Sequence, residues 1–339
     1  MKQPIITGIL SYGMSGRVFH APFIHANNDF ELRAVTERSA KNIKDHYPDV
    51  ISYDSVDELL QDPEIELVIV NTPNNTHYEF TKKALLAGKH VLVEKPFAAT
   101  SQEARELFDL GKQRNLKVLV YQNRRWDSDF MSLKSIVDSG KLGDLIEVHL
   151  RFDRYRNEIS KKAFKELPLP ASGLTYDLGP HLLDQVISVW GKPQCFTKTT
   201  GIFRPASQVD DFMHIHLRYE SGLNVFVTAS LLTAAPLPSF VAHGTKGSYI
   251  KARTDVQEDQ LQAGVTPDNE KYGIEEDGKE GTLTLINEGG KKLTEHITAL
   301  KGNYNRLFAA VYDAIRHDAP YPITEEQVLV QMEILEAKG

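Results

Sequence analysis

Short apolar runs alternate with amphipathic segments over the first 120 residues of the chain. Five runs have the length and continuous apolar character of buried parallel strands, namely residues 5–10, 32–35, 67–70, 90–93 and 117–121. Between them lie helix start and stop signals: Ser55 to Glu58 and Thr100 to Glu103 fit a capping box, and Gly88 follows a helical stretch. This alternation predicts an α/β domain over residues 1–122, built on a doubly wound parallel sheet.

The pattern changes after about residue 123. Polar and apolar positions alternate along four longer segments, as in an antiparallel sheet with one covered face: residues 145–156, 212–219, 223–230 and 239–244. Helices are predicted over residues 130–139, 178–190 and 303–317 and from Thr324, whereas residues 253–293 read as loop with short strands. We therefore expect a second, α+β domain over residues 123–339 with an open, mostly antiparallel sheet.

Charge and cysteine content narrow the classes of function. The chain has 39 basic and 46 acidic residues, a net charge of −7, and no basic run, which disfavours nucleic acid and anionic membranes as partners. Cys195 is the single cysteine, so internal disulfides and multi-cysteine metal sites are excluded. The first residues read as a strand and not as a signal peptide, and no apolar run reaches the length of about 18 residues that a membrane span needs. We expect a cytoplasmic protein.

The first predicted strand leads into a glycine-rich turn, S-Y-G-M-S-G. In the dinucleotide-binding turn G-x-G-x-x-G, the second glycine lets backbone approach the pyrophosphate and the third lets the helix pack on the strand. Gly13 and Gly16 fill these two positions, and Ser11 stands at the first. The predicted cofactor contacts of the turn are Ser11, Tyr12, Gly13, Met14, Ser15 and Gly16. The alternative is a glycine turn needed only for packing.

The end of the second predicted strand carries opposing signals about the cofactor. Glu37 lies 21 positions after Gly16, the distance at which an acidic residue binds the adenosine ribose and favours NAD. Arg38 follows it and could pair with the 2′-phosphate of NADP. These residues alone leave NAD and NADP open, and a solvated charge pair is the alternative to both.

Two further strands end in polar residues at the edge where ligands of such sheets bind. V-E-K-P-F places Glu94 and Lys95 there, and N-T-P-N-N-T-H predicts cofactor contacts from Thr72, Pro73, Asn74 and His77, with a plain turn as the alternative. The donor-rich segment Q-N-R-R-W, residues 122–126, suits a substrate with several hydroxyls. Interdomain salt bridges are its alternative explanation.

The predicted helix over residues 178–190 carries a polar stripe. If it begins near Asp177, then His181, Asp184 and Ser188 follow on the same face, and a carboxylate one turn from a histidine orients the ring and raises its pKa. A capping Asp and a surface His are the alternative. Elsewhere, His214 and His216 share one face of a strand without an evident third ligand, so no metal site is expected.

Taken together, S-Y-G-M-S-G, T-E-R-S, N-T-P-N-N-T-H, V-E-K-P-F and Y-D-L-G-P-H-L-L-D resemble the motifs of the Gfo/Idh/MocA oxidoreductase family over most of the chain. The segments R-V-F-H-A-P, Q-N-R-R-W-D-S-D-F and R-Y-R-N are most similar to its NADP-dependent scyllo-inositol dehydrogenase branch, which favours NADP over NAD here. The resemblance implies an N-terminal Rossmann domain and a C-terminal sheet that carries substrate and forms homodimers or homotetramers. Ser11 departs from the family's usual first glycine.

The resemblance also implies the site residues. The family's catalytic lysine, aspartate and histidine fall on Lys95, Asp177 and His181, and the substrate contacts would be Lys95, Asn123, Arg124, Trp126, Tyr155, Asp177 and His181. We expect metal-free hydride transfer between nicotinamide and a secondary alcohol of a cyclic polyol or sugar, with either Lys95 or His181 as the immediate base. The alternatives are a non-catalytic regulator that binds nucleotide or sugar, and a reductase of another cyclic substrate.

Overall fold

The computed structural model describes residues 3–160 and 166–338. The chain forms two compact units. The first runs to Asn123 and also contains Glu258–Tyr272 and Tyr304–Leu329, and the second contains Arg124–Gln257, Gly273–Asn303 and the chain from Val330 onward. The chain thus leaves the first unit where the sequence pattern changes, and later segments return to it.

The first unit is built on a parallel sheet, six-stranded within the described residues, in the order β3-β2-β1-β4-β5-β6. Its strands are β1 (Ile5–Ile9), β2 (Phe30–Thr36), β3 (Ile51–Tyr53), β4 (Leu67–Val70), β5 (His90–Glu94) and β6 (Val118–Tyr121). The strand order reverses direction between β1 and β4, which opens a crevice at the carboxyl ends of these strands. The predicted doubly wound Rossmann sheet is confirmed, and the three-residue strand β3 is too short for a hydrophobic pattern to reveal.

The helices are α1 (Ala21–Ala26), α2 (Ile43–His46), α3 (Val56–Gln61), α4 (His77–Leu86), α5 (Ser101–Arg114), α6 (Ser128–Asp138), α7 (Leu174–Asp177), α8 (Gly179–Trp190), α9 (Gln257–Gln262), α10 (Asn305–Arg316) and α11 (Glu325–Glu336). The capping boxes form as predicted. The Glu58 N–H donates to Ser55 Oγ at 3.2 Å, and the Glu103 N–H donates to Thr100 Oγ1 at 3.1 Å.

A buried aromatic cluster explains why α10 belongs to the first unit. Phe308 of α10 stacks on Phe23 of α1 with ring centroids 5.0 Å apart, and both side chains are fully buried. Phe30 of β2 and Tyr121 of β6 meet the same Phe308 ring. Burial of such large rings contributes strongly to stability, so this late segment completes the core of the N-terminal fold.

The second unit contains an open sheet, eight-stranded within the described residues, in the order β14-β13-β12-β11-β7-β10-β9-β8. Its strands are β7 (Leu145–Asp153), β8 (Cys195–Gly201), β9 (Phe212–Arg218), β10 (Asn224–Ser230), β11 (Phe240–Gly244), β12 (Gly247–Lys251), β13 (Gly281–Ile286) and β14 (Lys292–Ile297). Only β7 and β10 pair in parallel in this described sheet, so the predicted mostly antiparallel α+β domain is confirmed.

One face of the second sheet is covered by α6, α7 and α8. Alternation along β7 shows the arrangement, since Val148, Leu150 and Phe152 are buried while the residues between them are partly exposed. The long alternating segments of the sequence reflect this one-sided burial. In the described part of the chain, no helix is long and apolar enough to span a membrane.

Candidate active site

The glycine turn joins β1 to the first helical residues and shows how Ser11 replaces a glycine. The Ser11 carbonyl accepts a hydrogen bond from Asn71 Nδ2 at 2.8 Å, and Ser11 Oγ accepts one from the Gly13 N–H at 3.3 Å. A Cβ on Gly16 would lie 2.1 Å from that same carbonyl oxygen, whereas a Cβ on Gly13 would meet only Ser11 Oγ at 3.4 Å. Gly16 is therefore required for close packing, and Gly13 leaves an open face.

This turn suits a dinucleotide. Gly13 is exposed and Met14 is 45% exposed, so the backbone at the start of the helix is open to a ligand. The Arg17 N–H donates to the Gly13 carbonyl at 3.0 Å, which fixes the first helical turn. Backbone N–H groups at a helix start favour phosphate, and the small residues of the turn allow its approach.

Glu37 is held by the protein itself. Its carboxylate accepts hydrogen bonds from the Asn42 N–H at 2.9 Å, the Ile43 N–H at 3.3 Å and Ser52 Oγ at 2.9 Å, and the residue is buried. Glu37 thus caps α2 and ties it to β3. Arg38, next to it, is exposed.

The segment after β4 forms a short 3₁₀ turn, Asn74–Thr76, before α4. Thr72 Oγ1 contacts Thr76 Oγ1 at 2.7 Å, and Pro73 is exposed. The His77 ring is buried, with Nδ1 2.7 Å from the Pro96 carbonyl and Nε2 2.9 Å from the Thr72 carbonyl. Burial lowers the pKa of His77. Its ring therefore joins the ends of β4 and β5 and lies inside the protein.

Glu94 ends β5 and Lys95 follows it, and the Lys95–Pro96 peptide bond is cis. Glu94 Oε1 accepts hydrogen bonds from Ser15 Oγ at 2.8 Å and from His20 Nε2 at 2.9 Å, and Oε2 accepts one from the Lys95 N–H at 3.2 Å. Burial alone would raise the pKa of Glu94, but the hydrogen bond from His20, with the charges of His20 and Lys95 and the Ser15 hydroxyl, holds it below its ordinary value.

Asp177 and His181 lie on two helices rather than one. The predicted helix over residues 178–190 is confirmed as α8, with Pro180 in its first turn, where the missing backbone donor is tolerated. Asp177 lies before this helix, as the last residue of the short helix α7. Asp177 is half-buried and His181 is buried. The alternative of a surface histidine is therefore wrong.

The rest of the predicted polar stripe packs inside the second unit. Asp184 is buried and accepts hydrogen bonds from Arg125 Nε at 2.7 Å and Nη2 at 2.8 Å. Ser188 Oγ donates to the Gln185 carbonyl at 2.7 Å. Gln185 Nε2 in turn donates to the Arg124 carbonyl at 2.9 Å. Asp184 and Gln185 of α8 therefore hold the donor-rich segment in place.

The donor-rich segment forms a short 3₁₀ turn, Asn123–Trp126. Asn123 is buried, Arg124 Nη1 donates to Asp127 at 3.2 Å, and the Trp126 carbonyl accepts from Gln257 Nε2 at 2.9 Å. The ion pairs of Arg124 and Arg125 named here lie within the second unit, so they are not the interdomain salt bridges considered as an alternative.

The remaining candidates also belong to the second unit. Tyr155 is 62% exposed, and its backbone bridges to Leu232. His214 and His216 stack against Phe226 with ring centroids 5.9 and 4.5 Å away. Within the described residues, no group of three or more His, Cys, Asp or Glu side chains is arranged to hold a metal ion.

Sequence reasoning missed the contact of His20 with Glu94. His20 belongs to R-V-F-H-A-P, which served only as a mark of resemblance, and its partner Glu94 lies 74 positions away. No local pattern joins the two positions, so only the parallel sheet, which brings the first turn to the end of β5, reveals the contact.

The first unit defines a class of protein: a Rossmann-type α/β fold with a glycine turn at the carboxyl edge of its sheet, as in dinucleotide-dependent oxidoreductases. Comparison with known proteins makes the class specific. Residues 5–122 match the model of the oxidoreductase family with an NAD-binding Rossmann fold, and residues 130–250 match the GFO/IDH/MocA C-terminal domain. The chain belongs to the Gfo/Idh/MocA oxidoreductase family and is an oxidoreductase.

Full-length relatives support this assignment. The chain is 37% identical to the uncharacterised oxidoreductase YdgJ of Escherichia coli K12, covering 99% of this chain and 96% of the relative. It is 34% identical to the scyllo-inositol 2-dehydrogenase (NADP⁺) IolW of Bacillus subtilis, covering 98% and 92%. A crystal structure of an oxidoreductase from Bacillus cereus superposes with a TM-score of 0.89 at 34% identity, covering 98% and 95%.

Proposed function

We propose that this protein is an NADP-preferring dehydrogenase that oxidises a secondary alcohol of an inositol-like cyclic polyol. The observation that carries the proposal is the array at the carboxyl edge of the first sheet, where Ser15 of the glycine turn and the Lys95 N–H bind the same Glu94 carboxylate. This array joins the glycine turn, which would bind the phosphates, to the backbone of Lys95, the lysine that we propose is catalytic. The similarity to IolW, a scyllo-inositol dehydrogenase, supports the substrate class.

The chain's own residues supply the acid–base and electrostatic chemistry. When bound, the nicotinamide accepts the hydride that leaves the alcohol carbon, and the C–OH group becomes a carbonyl. The hydroxyl proton must leave at the same time, and His181 Nε2 or Nδ1 is suited to accept it. Asp177 orients that ring, and the Lys95 ammonium stabilises the developing alkoxide.

The preference for NADP rests on how Glu37 and Arg38 are placed. Three protein donors already bind the Glu37 carboxylate, which limits its capacity to accept ribose hydroxyls. Arg38 is exposed beside it, and a guanidinium pairs well with a 2′-phosphate. The NADP dependence of IolW points the same way.

Substrate hydroxyls would be held by the donor-rich turn Asn123–Trp126 together with Tyr155. The buried Arg125–Asp184 pair and the Gln185 amide fix the backbone of that turn. Arg124 and Trp126, both partly exposed, project from a rigid base as a result. Preorganised donors of this kind suit a rigid ring with several hydroxyls.

The subunit arrangement and location are part of the same proposal. We expect a homodimer or homotetramer in the cytoplasm, formed through the face of the second sheet that α6, α7 and α8 leave free. Phe226 lies on that face, stacked between His149 and His216 at 4.9 and 4.5 Å. Stacked rings on a flat sheet face suit contact with a second copy of that face.

The test is an initial-rate survey of the purified protein with NADP⁺ and NAD⁺ against scyllo-inositol, myo-inositol, glucose and other polyols. We expect the highest kcat/KM with an inositol and NADP⁺. Lys95→Ala should abolish turnover and leave NADP⁺ binding unchanged, and Lys82→Ala, on an exposed lysine of α4, should change neither. Unchanged turnover in Lys95→Ala would remove the lysine from the mechanism.

A further inference from the structure

His20 is a fully buried polar side chain that the proposed mechanism does not use. Its side chain is fully buried, packed edge-on against Tyr121 at 4.6 Å and Phe308 at 6.5 Å between ring centroids. A buried imidazole in an aromatic cluster is costly unless its polar atoms are satisfied. Within the described chain Nδ1 has no hydrogen-bond partner, so the bond from Nε2 to Glu94 fixes the orientation of the ring.

The local backbone aims His20 at Glu94. Gly16–His20 form a π-helical turn, closed by the Ala21 N–H donating to the Gly16 carbonyl. Pro22 follows, and its ring would clash with the carbonyl four residues earlier in a regular α-helix. The wider turn avoids that clash and leaves His20 at the start of α1 with its ring toward the sheet.

The Glu94 carboxylate connects two separate parts of the site. Ser15 belongs to the turn after β1, and Lys95 follows β5, with β4 lying between these strands in the sheet. One carboxylate oxygen accepts from Ser15 and His20, and the other accepts from the Lys95 N–H. The Glu94 side chain is 13% exposed, so these donors replace most of its hydration.

We propose that His20 is a positioning residue, which acts through Glu94 to fix the backbone of Lys95 relative to the cofactor turn. The inference rests on the proposed function, because the positioned group is the lysine assigned there. Without the His20 donor, the buried carboxylate loses its strongest support and can rotate toward Ser15 or take up a proton. Lys95 then loses the acceptor that sets its backbone.

The test compares two replacements of His20 with a control. His20→Phe keeps a ring in the aromatic cluster and removes the donor, whereas His20→Gln keeps an N–H donor near the position of Nε2. We expect His20→Phe to lower kcat about tenfold to a hundredfold with little change in KM for the polyol, as for small displacements of a catalytic group. His20→Gln should recover most of this loss. His317→Gln, on an exposed histidine after α10, should leave kcat unchanged.

Two further readouts separate positioning from a merely structural role. The acid limb of the kcat profile should move to higher pH in His20→Phe, because burial then raises the pKa of Glu94, and should stay in place in His20→Gln. In a double-mutant cycle, His20→Phe should add nothing to the loss in Glu94→Gln. Wild-type kcat in His20→Phe, or additive losses in the cycle, would overturn the proposal.

A spectroscopic measurement keeps this result distinct from failure of the proposed function. In protein labelled with ¹⁵N-histidine, the His20 Nε2 proton should give a slowly exchanging resonance that disappears in Glu94→Ala, which has no side-chain acceptor. If the wild-type protein binds NADP⁺ but oxidises no polyol, the proposed function fails. The resonance still tests the hydrogen bond between His20 and Glu94 in that case. A resonance that is present in the wild type and lost in the Glu94 variant supports the bond, and a resonance that is absent from the wild type overturns it.

Discussion

Gly13 and Gly16 occupy the same turn, yet the structure gives them different tasks. Gly16 has no room for a Cβ because the Ser11 carbonyl lies where that atom would go. Gly13 faces open space apart from Ser11 Oγ. A packing glycine and a ligand-facing glycine can therefore be told apart by substitution, which separates the dinucleotide turn from a turn needed only for packing.

Gly16→Ala should lower the free energy of unfolding by about 1–3 kcal/mol, as for overpacking at a tight site, and weaken NADP⁺ binding. Gly13→Ala should leave the unfolding free energy within about 0.5 kcal/mol of wild type, as at an open site, and still weaken NADP⁺ binding. Denaturant unfolding and titration with NADP⁺ measure both. Wild-type affinity for NADP⁺ in Gly13→Ala would indicate instead that the glycine turn is needed only for packing.

Arg38→Ala should reduce the preference for NADP⁺ over NAD⁺ about tenfold or more, because a hydrogen bond to a charged group contributes about 1.5–3 kcal/mol. The ratio of kcat/KM for the two cofactors measures it. Glu37→Ala is the matched variant: it should lower stability by about 1 kcal/mol by removing the cap of α2, with a smaller effect on the ratio. An unchanged ratio in Arg38→Ala would contradict the assignment.

At the scale of elements, two carboxylates fix the start of α6, next to the donor-rich turn: Asp129, which is buried, and Asp255, which is half-buried. Asp255 accepts hydrogen bonds from the Ser128 N–H at 2.7 Å and from Gln257, and Asp129 accepts from the Thr254 and Asp255 N–H groups. Burial, with the neighbouring charge of Asp129, raises the pKa of Asp255 to about 6. Ionised Asp255 is thus less favourable in the folded protein than in the unfolded chain.

The pH dependence follows from that direction. The folded state binds the Asp255 proton more tightly than the unfolded state, so stability from this group is full below pH 3.8, falls as the pH rises to about 6, and is constant above. Asp255→Asn should remove this dependence. As the pH rises between these limits, the difference in unfolding free energy between the two proteins should therefore shift in favour of the variant by up to about 3 kcal/mol. Urea unfolding of both proteins from pH 3.5 to 7.5 measures the difference, and a constant difference would contradict the assignment.

Sequence patterns predicted elements best where one physical cause dominated. Continuous apolar runs gave the central parallel strands, and hydroxyl–carboxylate pairs gave the starts of α3 and α5. The short helix α7 was not predicted, because four residues are too few to show a helical period. The strand β3, with three residues, is too short to show a period.

The candidate site was predictable to the extent that each residue lies at a strand end or helix start. Lys95 and the glycine turn follow from that rule. The capping role of Glu37, the buried ring of His77 and the His20–Glu94 bond depend on contacts between distant segments, which no single-sequence pattern encodes. These contacts also change the chemical role assigned to a residue. Glu37 was predicted to bind the adenosine ribose, whereas its carboxylate accepts hydrogen bonds from the start of α2.

At the scale of the whole molecule, the proposed assembly gives a further test. Phe226→Asp places a charge within the stacked rings of the free sheet face, so it should convert a dimer or tetramer to single chains while the fold remains. Light scattering after size-exclusion chromatography measures the mass, and circular dichroism checks the fold. Leu293→Asp, on the exposed strand β14, is the control and should keep the wild-type mass. A wild-type protein with the mass of one chain would contradict the proposed assembly.

The most direct test of the central claim follows the hydrogen itself. Scyllo-inositol deuterated at its ring carbons is incubated with the protein and NADP⁺, and the reduced cofactor and the polyol product are analysed by mass spectrometry. The account predicts one deuterium at C4 of the reduced nicotinamide for each ketone formed, and none with Lys95→Ala. Tight NADP⁺ binding without any transferred deuterium would contradict it.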